Sequence, residues 1–401
     1  MACDASSRPT QGHDGDGCST LIANGGVSRL TALTQDIAVI LPPRERFRAA
    51  DAGAVALTVH DFVVASRFQP QIVVFGGETQ PFSDVSFCHV PTTWAWLLGK
   101  NLAYAQACIT LLREQKVQLV EVHNRITLAL RIKKSLPRLA VAIHLHNDPH
   151  GMEGAKTAKQ RQFLLEQIDI VYCVSEYVRQ RLLEGVAPEL AVKCHVIHNA
   201  LADNHSVNIA AQKQHWLVYA GRFIPEKGAL ALAQALAQVL PHFPQWRAVF
   251  LGAWGFGHAA GKSDYEQQVY AALTTVASQV EFRGHVPHSE VMATLAQSSV
   301  TVVPSTCAEA FGRVVLEAMS MQNAVMVSSF GALPEIAGDA AIVLAEVSSS
   351  ALVQQLTALL DSPERIDLVA NACQQRAHQQ FNLNRIVHEL DAKRAQLLHG
   401  V

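Results

Sequence analysis

The chain is short of charge, of aromatic rings and of any cysteine pattern, and each shortage excludes a class of protein. Charged residues make up 16% and aromatics 6% of its 401 residues. The formal net charge is -2, so no basic field is on offer to a nucleic acid. The cysteines (Cys3, Cys18, Cys88, Cys108, Cys173, Cys194, Cys307 and Cys373) are scattered, with no C-x-x-C among them. Several stand inside apolar runs, as in Val171-Tyr172-Cys173-Val174. They read as small buried hydrophobes of a reducing compartment, not as a disulfide or zinc framework. No apolar run approaches the ~20 residues that a membrane span requires. Residues 1–33 are rich in Gly, Ser, Thr and Asp and lack a basic stretch followed by an apolar one. They are read as a disordered tail or an upstream extension, with no secretion signal, and a cytoplasmic location is expected.

What is present is a regular alternation. From Asp36 onward, short Val- and Ile-rich runs alternate with longer segments of helical period, the pattern of a parallel sheet covered by helices. One set comprises Ile37–Leu41, Ile72–Phe75, Leu119–Val122, Val141–Leu145, Ile170–Val174 and His195–Ile197. After the polar stretch Ala202–Gln214 the pattern restarts with Trp216–Ala220, Ala248–Gly252, Val280–Phe282, Val300–Val303, Val325–Ser328 and Ile342–Leu344. The spacing predicts an α/β protein of two doubly wound domains, 34–204 and 205–401, the last ~50 residues being helical.

Such sheets bind ligands at the carboxyl ends of their strands, so the segments after each run are the candidates. Gly221-Arg222-Phe223-Ile224-Pro225-Glu226-Lys227-Gly228 follows the first strand of the second domain and leads into an Ala/Leu helix. Its two cations and the helix N-terminus suit a diphosphate. After Val300–Val303 comes Glu309-Ala310-Phe311-Gly312-Arg313-Val314-Val315-Leu316-Glu317. Glu309 falls in the loop and Glu317 in the following helix, where two carboxylates can accept bonds from sugar and ribose hydroxyls. Free amides near Phe311 and Gly312 would face a phosphate.

Taken together, these residues resemble the retaining glycosyltransferases of family 4, which have the GT-B fold: two Rossmann-like domains facing across a cleft. The Gly-Arg…Lys-Gly loop and the Glu-(seven residues)-Glu element occur here in the family's order, and the resemblance spans about residues 36 to 400. It implies a diphosphate site at Gly221, Arg222 and Lys227, contact of Glu309 with the donor sugar and of Glu317 with the ribose. It implies Ala310, Phe311 and Gly312 beside the donor, and a base-binding segment at Gly284, His285 and Val286. In Val141-Ala142-Ile143-His144-Leu145-His146 the family's donor-facing histidine falls on His144 or His146. Alternation puts both on one face, and position at the strand's end favours His146 as a catalytic residue beside Arg222, Lys227 and Glu309. Asn124, ending Glu121-Val122-His123-Asn124, is a candidate for acceptor contact. Glu335 and Asn199 match further family features, though Ala200 stands where the family has glycine.

One departure is the first loop, Pro42 to Gly53, which holds a single glycine where the family has several. Arg44, Arg46 and Arg48 are candidates to meet phosphate instead. No metal and no cofactor is expected, the nucleotide sugar being the donor substrate. The acceptor would be a glycan or a lipid-linked sugar, in bacterial polysaccharide or surface-glycan synthesis. Arg125, Arg131, Lys133, Lys134 and Arg138 crowd one helix; they suit either a solvated face or peripheral contact with the inner membrane face. Trp94-Ala95-Trp96-Leu97-Leu98 is read as core before acceptor platform. Asp14-Gly15-Asp16, though of metal-binding form, has no strand before it, and Gly255–Gly261 misses the dinucleotide spacing, reading as a cleft loop. A sugar-nucleotide epimerase and a non-catalytic sugar-binding protein are the alternatives.

Overall fold

The computed structural model describes residues 35–49, 52–91, 99–201, 208–253 and 263–399, which lie in one compact unit. In the first lobe, strands β1 (Ile37–Ile40), β2 (Ile72–Gly76), β3 (Phe87–His89), β4 (Leu119–His123), β5 (Ala140–Leu145), β6 (Ile170–Cys173) and β7 (Cys194–Val196) pair in parallel. Their spatial order is β3-β2-β1-β4-β5-β6-β7. Helices α1 (Ala54–Val64), α2 (Lys100–Gln115), α3 (Ile126–Ser135), α4 (Ala158–Gln167) and α5 (Glu176–Leu183) punctuate them.

In the second lobe, β8 (Gln214–Ala220), β9 (Arg247–Leu251), β10 (Val280–Gly284), β11 (Ser298–Val303), β12 (Ala324–Ser328) and β13 (Ile342–Leu344) order as β10-β9-β8-β11-β12-β13. Its helices are α6 (Ala229–Val239), α7 (Asp264–Ala272), α8 (His288–Gln297), α9 (Arg313–Ser320), α10 (Leu333–Ala337), α11 (Ser349–Leu360), α12 (Pro363–Gln380) and α13 (Leu383–His399). Each sheet reverses its winding once, at β1/β4 and at β8/β11, and the crevices of such sheets open at those points.

The central strands are apolar because both of their faces are covered: Ile37–Ile40 and Ser298–Val303 are buried along their whole length. Helix starts are written locally, as in the capping boxes Thr157/Gln160 before α4 and Ser263/Glu266 before α7.

Strand β3 has no counterpart in the sequence reading. It is three residues long and partly exposed at the sheet edge, too short to display a period. Helix α13 departs from the expected assignment of residues 205–401 to the second domain. Its Leu383, Ile386, Val387 and Leu390 pack into the first lobe with Ile37, Phe62 and Leu119. An amphipathic pattern fixes which face of a helix is buried, not which sheet buries it. The join expected near residue 205, the tail 1–33 with Asp14-Gly15-Asp16, the Trp94–Leu98 segment and the Gly255–Gly261 loop all fall wholly or largely outside the described residues.

The lobes are clasped by polar contacts. Ser175 Oγ donates to the Ala310 carbonyl at 2.7 Å, and Arg313 Nη1 to Thr58 Oγ1 at 3.0 Å. Glu335 accepts the amides of Glu176 and Tyr177, at 2.8 and 3.2 Å, where α5 begins.

Candidate active-site cleft

The β8/β11 reversal brings the two informative loops together. Gly228 turns the chain at φ 69° and caps α6; a Cβ there would lie 1.8 Å from the Pro304 carbonyl oxygen. Only glycine lets this loop lie so close to the one that follows β11. A cavity of about 750 Å³ opens beside it, lined by Arg222, Lys227, Glu309 and Gly312 of the second lobe and His146 and Asn199 of the first.

Arg222 is exposed, borders this cavity, and its guanidinium bonds to none of the described residues. Lys227 Nζ is paired with Glu309 Oε1, and Ser305 Oγ donates to the same oxygen at 2.7 Å. The cation assigned to phosphate and the acid assigned to sugar thus share one wall and hold each other. The Glu309 backbone is fixed in turn: its carbonyl accepts the Ala332 amide at 2.8 Å, and Gly331, at φ 67°, lies so close that a Cβ would meet the Glu309 oxygen at 2.3 Å. Helix α9 starts behind Gly312, at φ 86°, without a side-chain cap, so its first amides and their partial positive charge border the cavity.

An adjoining cavity of about 330 Å³ shares Gly221, Arg222 and Arg313 and is bordered by His285, Val286 and Glu317. Gly284, at φ 67°, ends β10 with its carbonyl accepting the Gly252 amide at 2.7 Å, which sets the His285-Val286 turn. Glu317 is buried, accepts from Arg313 Nε at 2.9 Å and lies 2.9 Å from His288 Nε2. Burial alone would raise its carboxyl; the His288 ring and the Arg313 guanidinium outweigh that and hold it below the ordinary carboxylate range.

On the opposite wall, His146 borders the cavity while His144 is only 4% exposed behind it, which separates the two histidines that alternation left equivalent. The His146 amide donates to Asn124 Oδ1 at 2.8 Å, and its ring Nε2 lies 2.9 Å from His123 Nδ1. Asn124 sits at φ 54°, a conformation that non-glycine residues adopt sparingly and that clusters at functional sites. Burial, then the neighbouring His144 ring, pushes His146 down to about 3.

Several candidates are placed elsewhere. Arg44 and Arg46 are exposed and Arg48 pairs with Glu78 at 3.8 Å; none of the three borders the cleft. The first turn of α1 takes that place, with Ala54 and Val55 lining the cavity. Glu45 accepts the Ala56 amide there at 3.1 Å, its carboxyl raised by burial. Gly53, just ahead of an apolar helix, was the available sequence signal. Glu335 lies in the lobe clasp, with His198 Nε2 at 2.8 Å, and not in the cavity. Of the five cations expected on one helix, Arg131, Lys133 and Lys134 lie in Ile126–Ser135 while Arg125 caps its start and Arg138 follows its end; Lys133 pairs with Asp169 at 2.7 Å and the other four are exposed. No helix among the described residues is long and apolar enough to cross a membrane.

Among the described residues one group has metal-ligand spacing: Glu121, His123 and His144, with ligand atoms within 4.8 Å of one another. Both Glu121 oxygens already accept from the Arg394 guanidinium, at 2.9 and 2.7 Å. A fixed positive charge therefore stands where a cation would bind, and the set does not suit a metal.

Two family models match the chain: Glycosyltransferase Family 4 over residues 52–204 and Glycosyl transferases group 1 over 202–379. The chain is 25% identical over 297 residues to the lipopolysaccharide 1,2-N-acetylglucosaminetransferase of Salmonella typhimurium, covering 69% of this chain and 73% of that protein. Its fold is similar to sucrose-phosphate synthase from Thermosynechococcus elongatus, with a TM-score of 0.72 at 16% identity over 91% of this chain and 100% of that one. It is also similar to Anabaena HepE in complex with UDP and glucose, with a TM-score of 0.70 at 18% identity over 90% and 99%.

Proposed function

Because the chain belongs to the family 4 type of glycosyltransferase, with the GT-B fold, we propose that it takes a sugar from a nucleotide-diphosphate donor and transfers it, with retention, to a glycan or lipid-linked acceptor. The observation that carries this reading is the convergence of Arg222, Lys227 and Glu309 on a cavity whose other wall is His146. The diphosphate would lie between Arg222, Lys227 and the first amides of α9. The ribose would meet Glu317 and the base the His285-Val286 turn, in the smaller cavity. An arriving diphosphate would draw Lys227 from Glu309 and free that carboxylate to accept from the sugar hydroxyls. The complex of HepE with UDP and glucose supports a uridine nucleotide as the first donor to try.

In the reaction the bond from the anomeric carbon to the diphosphate oxygen breaks, and its electron pair leaves with the phosphate. The acceptor oxygen bonds to the same carbon from the same face, passing its proton to the departing phosphate. Arg222 and Lys227 stabilise charge that grows on that phosphate, so their effect is greatest in the transition state. His146, as a neutral ring, is a hydrogen-bonding group for the sugar.

A second cavity of about 750 Å³ in the first lobe shares Val55 and Asn147 with the first and is bordered by Asn124, Lys100, Arg125 and Arg131. It is the acceptor site in this reading; Glu45 and Glu153 line it together with the cations, a mixed lining that suits the hydroxyls of a glycan. The Salmonella relative supports a bacterial surface glycan as the product. Incubation with a panel of nucleotide sugars tests this, read by mass spectrometry of the acceptor, by chromatography that resolves epimeric nucleotide sugars and by proton NMR of the new anomeric centre. Donor consumed only with acceptor, and a heavier acceptor recovered, is the expected result. Conversion of donor to its epimer without acceptor would mean an epimerase, and binding without turnover a sugar-binding protein.

A further inference from the structure

Behind His146 runs a buried polar column that ends on the last helix of the chain. His123 stacks on His144 with centroids 4.3 Å apart and planes 9° from parallel, and bonds to His146 at 2.9 Å. His144 Nε2 lies 3.6 Å from Glu121 Oε2, and Tyr172 of β6 packs 4.7 Å from the same ring. His144 Nε2 and the Tyr172 hydroxyl are buried without hydrogen-bond partners. Glu121 is fully buried, and Arg394 of α13 grips both of its oxygens. Arg394 also donates to Asp391 Oδ1 at 3.0 Å and to Ser66 Oγ at 3.1 Å. Asp391 is itself held by Ser66 Oγ at 2.7 Å and the Arg67 amide at 2.9 Å.

A carboxylate buried beside two imidazoles, His144 and His123, would ordinarily draw a proton onto one of them, since histidine binds protons more tightly than glutamate. Here an arginine from a distant part of the chain supplies the positive charge instead. We propose that Arg394 is a positioning residue for the cleft histidine: by neutralising Glu121 it keeps the His123–His146 pair uncharged, so that His146 meets the donor as a neutral ring. The inference rests on the cleft reading of His146. It assigns a role in the chemistry to a helix that touches neither cavity. The other charged groups that border the cavity with His146 are Asp148 on its own loop and Arg222, Glu226, Lys227, Glu309 and Arg313 across it. Burial, His144, His146 and Arg394 together push His123 well below the usual histidine range, in keeping with a His123–His146 pair that stays neutral.

The test compares wild type, Arg394→Met, Glu121→Gln and the double variant, all as full chains. Histidine charge is read by 15N NMR, assigned with single His→Asn variants, and kcat/KM is read from pH 8 to pH 6. Arg394→Met should gain one imidazolium in the His123–His146 pair near neutral pH and lose about tenfold in kcat/KM between pH 8 and 6. Wild type and the double variant should gain none and change less than about twofold over that range. A pH-independent loss in Arg394→Met, or an acid limb that survives in the double variant, would overturn the proposal. Glu121→Gln leaves Arg394 partnered by Asp391; an added imidazolium there overturns it too, even if Arg394→Met does not fold. The NMR arm reads without turnover, so absence of transferase activity would count against the functional reading and not against the column.

Discussion

The two lobes share one winding and differ in how they furnish the reversal point. In the second lobe the loops after β8 and β11 carry exposed or half-exposed charge: Arg222, Lys227 and Glu309 reach their cavity directly from the backbone that holds them. In the first lobe the residues after β4 and β5 present one ring, His146, backed by buried groups drawn from β4, β5 and α13. A site written in contiguous loops is legible as a motif. A site assembled from packed side chains is not.

The sharpest way to break this contrast is to remove a charge from the second lobe. Arg222→Ala or Lys227→Ala should lower kcat by about 10²–10³, measured at saturating donor. Losses of only a few-fold in both would mean that the loop does not meet the leaving phosphate. In the first lobe His146→Ala removes a single hydrogen-bonding group and should cost about tenfold to a hundredfold in kcat, with little change in donor KM. A loss as large as that of Arg222→Ala would erase the proposed division of labour.

Backbone geometry gives a third test. Gly228→Ala sets a Cβ against Pro304 at φ 69°, so the loop must shift. Thermal unfolding should report a loss of about 1–3 kcal/mol, and donor affinity should fall with it. An unchanged Tm would show that the close approach is not needed. The smallest expected effect separates the lobes by pH. His146 and His123 bind protons less readily folded than unfolded, so the unfolded chain takes up more protons as pH falls below the ordinary histidine value. Their contribution to stability is complete above about pH 7 and declines from about 6.5 downward, toward about 3 for His146. Tm should therefore fall from pH 7 to pH 5, and fall less in a His123→Asn/His146→Asn variant; equal slopes would exclude the pair as the source.

Much of the fold was legible because parallel strands covered on both faces leave unbroken apolar runs, as at Ile72–Phe75 and Val300–Val303. Edge strand β3 left no such run, and nothing in the period of α13 reveals that Arg394 meets Glu121, 273 residues earlier. The charged loops of the second lobe were readable from order and spacing. Arg44, Arg46 and Arg48 show the limit of that method: a run of cations after a strand looked like a phosphate site, while the cavity wall is the first turn of α1. His144 and His146 show another limit, since a period of two cannot tell the ring at the end of a strand from the ring beneath it.

The most direct measurement is calorimetric titration of UDP into the wild-type chain and into an Arg222→Ala/Lys227→Ala variant of unchanged Tm. If these two cations hold a nucleotide diphosphate, wild type binds and the variant loses at least about 2–3 kcal/mol of binding free energy. Equal affinity in the two proteins would contradict the assignment on which the proposed chemistry rests.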